Sequence, residues 1–189
     1  MKLAAIVVVV ALGLRLYGIG TESFWIDEVF QRDVSSQPLA RIVADYRPLA
    51  GEARLRDQAP LSHLLFHFFV GRGPVSDEAT ARLPSAIAGA FDAGVFFLLA
   101  GRLLAPATAT LATTLLVLSP LDLWYGQELR FYALWLLIAT CATSVLTRVV
   151  AGGTLRWWAA YAVLTIAGLY TCLMHALVVA AHGLTLLWV

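Results

Sequence analysis

The chain of 189 residues is 60% hydrophobic and 13% charged, with a formal net charge of +1. Soluble domains carry about twice that share of charge, which excludes an ordinary globular domain. A balance this near neutrality selects no charged partner, and no nucleic-acid interface is expected.

The apolar runs are continuous rather than alternating, which argues against a β-barrel. They predict an all-α fold, a polytopic bundle of transmembrane helices, because about 20 apolar residues span a bilayer. After Lys2, residues 3–14 hold no charge and begin a first span at about 3–19. Small residues at 11–13 and 18–20 could serve a signal peptidase, but further apolar segments follow. An uncleaved first span is the reading adopted.

A polar stretch, 20–82, comes next and carries the adjacent acids Asp27 and Glu28. Neighbouring positions on a helix diverge by about 100°, so the two cannot face one atom. One can take a proton from a hydroxyl while the other pairs with an arginine. The plainer alternative is a solvated loop entrance, where charge ordinarily sits. Asp57 is a second acid toward the far end, equally compatible with plain surface.

Residues 60–71 are too short to span and read as a helix lying in the membrane interface. His63 and His67 share one of its faces at metal-compatible spacing. They lack the glutamate of a zinc-protease motif, so no metal site is assigned, and a divalent metal stays open as a cofactor.

Further spans follow at about 83–101, 107–121, 131–147, 157–172 and 173–189. The last run is apolar to Val189, which reads as a truncated chain. If 60–71 lies flat, Arg102, Arg148 and Arg156 fall on the side of Lys2, as on a cytoplasmic face. Against this, Arg32, Arg41, Arg47, Arg54, Arg56 and Arg72 crowd the long loop. Charge alone therefore leaves the orientation open. Trp25, Trp124, Tyr125, Trp157 and Trp158 mark interfaces on both sides.

Arg82 and Arg130 open the second and fourth spans, both on the loop side. A helix N-terminus with an added arginine makes an anion site, although such arginines also serve simply as headgroup anchors. Pro84 suits the first turn of its helix. Arg15 and Asp92 are ionisable groups within spans, candidates for a structural pair. Glu128 does not share a helical face with Arg130. Cys141 and Cys172 lie in apolar runs and read as packing residues. No Walker loop, dinucleotide fingerprint or serine elbow occurs, so a soluble nucleotide donor has no support.

Five segments, in order, resemble the GT-C membrane glycosyltransferases of family 39, the protein mannosyltransferase and aminoarabinose transferase group. LRLYGIGTESFWIDE (14–28) is similar to the family's first-span exit with its Asp-Glu motif. DQAPL (57–61) resembles an acid-x-Pro-Pro element, with Ala59 at the first proline. ARLPSAIAG (81–89) and SPLDLWYGQELRFYAL (119–134) resemble the arginine-bearing start of the second span and a Gln-Glu-x-Arg-x-Tyr block. LYTCLMH (169–175) is similar to a Leu-Tyr-Thr-His turn, with Cys172 replacing the histidine.

The resemblance implies the N-terminal core of a longer enzyme in a bacterial plasma membrane. Its loop 20–82 would face outside and carry interfacial helices. It implies inverting transfer of one sugar from a polyprenyl-phosphate donor to a lipid, glycan or protein hydroxyl. Asp27 would be the catalytic base with Glu28 beside it, and Arg82 and Arg130 would hold the donor phosphate. Asp57, His67 and Tyr132 are assigned to acceptor binding or closing of the site. The rival is a non-catalytic membrane protein, either a lipid-carrier binder or a transporter fragment.

Overall fold

A computed structural model describes residues 2–44, 60–70 and 78–188, and within them every regular element is an α-helix. Asp57 and the arginines at 47, 54, 56 and 72 lie outside the described residues. The helices are α1 (Lys2–Leu16), α2 (Ile26–Ser35), α3 (Leu39–Ala44), α4 (Pro60–Val70) and α5 (Glu78–Leu103). There follow α6 (Pro106–Val117), α7 (Pro120–Gly126), α8 (Tyr132–Val150), α9 (Leu155–Thr171) and α10 (His175–Trp188).

Two of these, α5 and α8, are long and apolar enough to cross a membrane. A third candidate exists if α6 and α7 form one span, bent by 57° at their junction. The 11 residues of α4 reach only about 16 Å, well short of a hydrocarbon core of roughly 30 Å.

α5 is the axis of the structure, packing against α1, α4, α6, α7 and α8. Its buried surface is made of small residues, among them Ala81, Ala86, Gly89, Ala90, Ala93 and Gly94. Small side chains let helix backbones approach closely. At Gly94 the approach is such that a methyl group would lie 2.5 Å from Val8 of α1. Bulky apolar residues point outward instead: Phe91, Leu111, Leu115, Val163 and Ile166 are all more than half exposed. Water would penalise that surface heavily, whereas lipid would not.

Three expectations need correction. First, α5 begins at Glu78, so Arg82 is its fifth residue and Pro84 lies inside the helix. The segment Glu78 to Ala81 has helix-forming alanines and an acid that suits the positive helix end. Pro84 therefore forgoes one backbone donor rather than opening the helix.

Second, the run 107–121 is not one straight helix. Ser119 adopts an extended conformation before Pro120, which starts α7 at its first turn. Proline disfavours helical geometry in the residue before it.

Third, Arg15 does not pair with Asp92. It is fully buried and bonds to Asp122 of α7, while its other terminal nitrogen donates to the Ala11 carbonyl at 3.0 Å. Arg15 threads between Gly89 and Gly126, where an added methyl group would lie 2.6 Å from its Nε. Asp92 is three residues past Gly89 on α5, about 4.5 Å deeper. The break before Pro120 turns α7 back toward α1 and supplies the nearer acid.

Candidate functional site

α2 places both acids in its first turn, where carboxylates favour the positive helix end. Its buried residues are Glu28, Gln31 and Ser35, while Ile26 and Phe30 are exposed. The inward face is thus polar. Gln31 Nε2 donates to His63 Nδ1 at 2.9 Å, and His67 Nδ1 donates to the Ser35 carbonyl at 2.9 Å. The helix face carrying both histidines is therefore the seam that docks α4 on α2. Ser35 ends α2, about 12 Å along the helix from Asp27, so the structure does not bring His67 to the acid pair.

Glu28 is fully buried and anchors a dense network. Arg82 donates from Nε to Oε1 at 2.8 Å and from a terminal nitrogen to Oε2 at 2.7 Å. This bidentate fork is the strongest ion-pair geometry available to side chains. The Leu129 backbone N–H donates to the same Oε1 at 2.7 Å. The second terminal nitrogen of Arg82 donates to the carbonyls of Ile19 and Glu22, both at 2.9 Å. Phe24, Phe66, Val70, Ala81 and Leu129 form an apolar cluster around the pair, and low polarity there strengthens it. One carboxylate thus ties together α2, α5, the end of the first helix and the turn before α8.

Asp27 is held quite differently. Its side chain is 42% exposed, and its nearest cation is Arg130, 3.5 Å away. Arg130 also reaches the Asp27 carbonyl at 3.4 Å and the Tyr132 hydroxyl at 3.5 Å. All three contacts lie at or beyond the long edge of hydrogen bonding. The Arg130 Nε is buried without a partner among the described residues. The guanidinium rests against the rings of Phe131 and Tyr132, and Tyr132 packs on Tyr125 with centroids 4.4 Å apart. The result is a buried cation with an unpaired Nε beside a half-exposed carboxylate.

The turn between α7 and α8 adds residues that sequence reasoning did not assign. Gln127 donates to the carbonyls of Arg15 and Tyr17, at 3.1 and 2.7 Å, closing the end of α1. Glu128 is only 5% exposed, and among the described residues neither of its carboxylate oxygens has a hydrogen-bond partner within normal geometry. Burial pushes its carboxyl above the ordinary value; the Trp124 indole, donating toward it over a longer distance than a normal hydrogen bond, lowers it, as do Arg130 and Arg82, while Glu28 raises it. Glu128 lines a hollow of about 350 Å³ with Trp25, Trp124, Glu28, Arg82 and the loop from Tyr17 to Ser23. Asp27 stands outside that lining, on the Arg130 side.

The structure thus gathers Asp27, Glu28, Arg82, Arg130 and Tyr132 where α2 meets α5 and the start of α8. Asp57 lies outside the described residues. Three polar residues, Gln127, Glu128 and Arg130, between two apolar helices were the available signal for Glu128. The Leu129 N–H carried none, because only the backbone turn aims it. No family model, curated protein or solved structure matches the chain.

Proposed function

We propose that the chain is the core of a polytopic membrane glycosyltransferase, with the α2 surface facing outside the cell. It moves one sugar from a polyprenyl-phosphate donor to a hydroxyl acceptor. The observation that carries this reading is the pair Asp27–Arg130: a half-exposed carboxylate beside an arginine with an unsatisfied Nε. A base and an anion site are what such a transfer needs at one surface.

Asp27 takes the proton of the acceptor hydroxyl as its oxygen bonds to the anomeric carbon. The bond from that carbon to the phosphate oxygen breaks on the opposite face, and the configuration inverts. The polyprenyl phosphate departs as an anion stabilised by Arg130. Arg82 has its donors engaged by Glu28 and two carbonyls; it holds α2 in place rather than binding the phosphate. Tyr132 orients Arg130. The outward apolar surface of the bundle meets lipid, as a lipid-linked donor requires.

The test is transfer of radiolabelled sugar from polyprenyl phosphate to envelope lipid, glycan or protein, using the full chain in membranes. Transfer that is lost in Asp27→Asn supports the reading. Wild-type binding of the lipid-linked sugar without transfer would replace it with a lipid-carrier binder. Normal transfer by the Asp27→Asn variant would remove Asp27 as the base.

A further inference from the structure

We propose that Glu128 is the hydroxyl-accepting residue of a subsite for one sugar ring, in the hollow between Trp25 and Trp124. This rests on the glycosyl-transfer reading and adds to it a residue that recognises the sugar.

A carboxylate is an acceptor only, and it needs donors once it leaves water. Glu128 is 5% exposed and lines a hollow, and among the described residues its two oxygens have no donor at normal hydrogen-bond geometry, the Trp124 indole reaching them only at longer range. Buried polar atoms are nearly always paired, so the missing donors belong to whatever occupies that space. Among the described residues, Trp124 is the one side chain that acts on this carboxyl as a neutral donor. Arg82 is engaged by Glu28 and two carbonyls, and Gln127 by the end of α1.

The rest of the lining narrows the ligand. The hollow, at about 350 Å³, falls near the lower end of small-ligand clefts, roughly 300–1,000 Å³. Trp25 and Trp124 are 44% and 57% exposed and give it indole walls. An indole offers a flat apolar face, against which the C–H face of a sugar ring packs. Adjacent ring hydroxyls then donate to the two oxygens of one carboxylate. A phosphate is disfavoured beside Glu128 and Glu28, and an apolar tail supplies no donors. A hydroxylated ring satisfies every group present. It arrives either as the donor's sugar or as a glycan acceptor.

The experiment uses the full chain in lauryldimethylamine oxide, a detergent with no sugar headgroup. Binding is measured by thermophoresis for bare polyprenyl phosphate, for polyprenyl phosphates carrying mannose, glucose, galactose or arabinose, and for the matching methyl glycosides. At least one sugar is expected to add affinity in the wild type. Glu128→Gln should lose that increment by roughly 10- to 100-fold, the worth of charged hydrogen bonds. It should bind the bare lipid phosphate as tightly as before, or more tightly. Trp124→Ala should lose part of the same increment.

A gain confined to the lipid-linked sugars assigns the ring to the donor; a gain with free glycosides assigns it to the acceptor. Retention of the full sugar increment in Glu128→Gln would overturn the subsite. So would a wild type that gains nothing from any sugar. Bare-lipid binding in each sample reports folding. Transfer by Asp27→Asn judges the catalytic reading separately, since that variant should keep its sugar increment.

Discussion

Two acid–arginine pairs sit one residue apart in this protein and differ in nearly every physical respect. Glu28 and Arg82 are both buried, share two bonds of 2.7 and 2.8 Å, and have further partners for the remaining atoms. Asp27 is half exposed and meets Arg130 only at 3.5 Å, with the arginine Nε unsatisfied. A saturated pair has no capacity left for a ligand; an unsaturated one does. The motif Asp-Glu therefore divides its labour: one acid builds the frame and the other faces outward.

The largest effect should come from breaking the saturated pair. Glu28→Ala leaves a buried arginine without its counter-charge, which typically costs 3–5 kcal/mol. Thermal unfolding in detergent should show collapse of the fold, and the Glu28→Leu, Arg82→Met double variant should recover part of the loss. If Glu28→Ala melts like the wild type, the pair is not structural.

Asp27→Asn inverts that result. Arg130 is buried but Asp27 is half exposed and their contact is long at 3.5 Å, so the loss of stability should be smaller than the roughly 3–5 kcal/mol expected at Glu28. Transfer, on the proposed function, should fall by about 10² to 10⁴, the usual worth of a general base. A joint loss of stability and activity would erase the distinction between the two acids.

Arg130→Met should follow the Asp27 pattern with a smaller span, about 100-fold in transfer and little in stability. Arg130→Lys should recover little, because a point charge cannot replace a planar fork.

The smallest effect concerns Glu128. Its folded carboxyl titrates above the ordinary 4.5 because of burial. Stability from keeping it protonated is full below that value and is lost as pH rises through the raised folded value. Glu128→Gln should therefore melt like the wild type in acid. It should become relatively more stable as pH climbs from the ordinary carboxylate range through the raised value. Parallel melting curves across that range would show that Glu128 is not held away from water.

Much of this was legible along the chain. Continuous apolar runs located α1, α8, α9 and α10 to within a few residues, and adjacency alone required Asp27 and Glu28 to diverge. The choice of partners was not legible. Arg82 was read as the opening of its helix, yet α5 starts a turn earlier and turns the guanidinium into the interior. Arg15 was matched with Asp92 on grounds of depth, but the break before Pro120 delivered Asp122. His63 and His67 were visible as one helix face, while the polar face of α2 that covers it was not.

By itself the sequence determined what short-range forces dictate: helices from apolar runs and the divergence of two adjacent acids. Tertiary structure alone decided which charges meet, because Glu28 and Arg82 are 54 residues apart and Arg15 and Asp122 are 107 apart. Periodicity fades over a few turns of helix, whereas an ion pair depends on ångströms set by how small residues let α1, α5 and α7 pack. The unpaired Nε of Arg130 and the poorly paired oxygens of Glu128 follow from that packing.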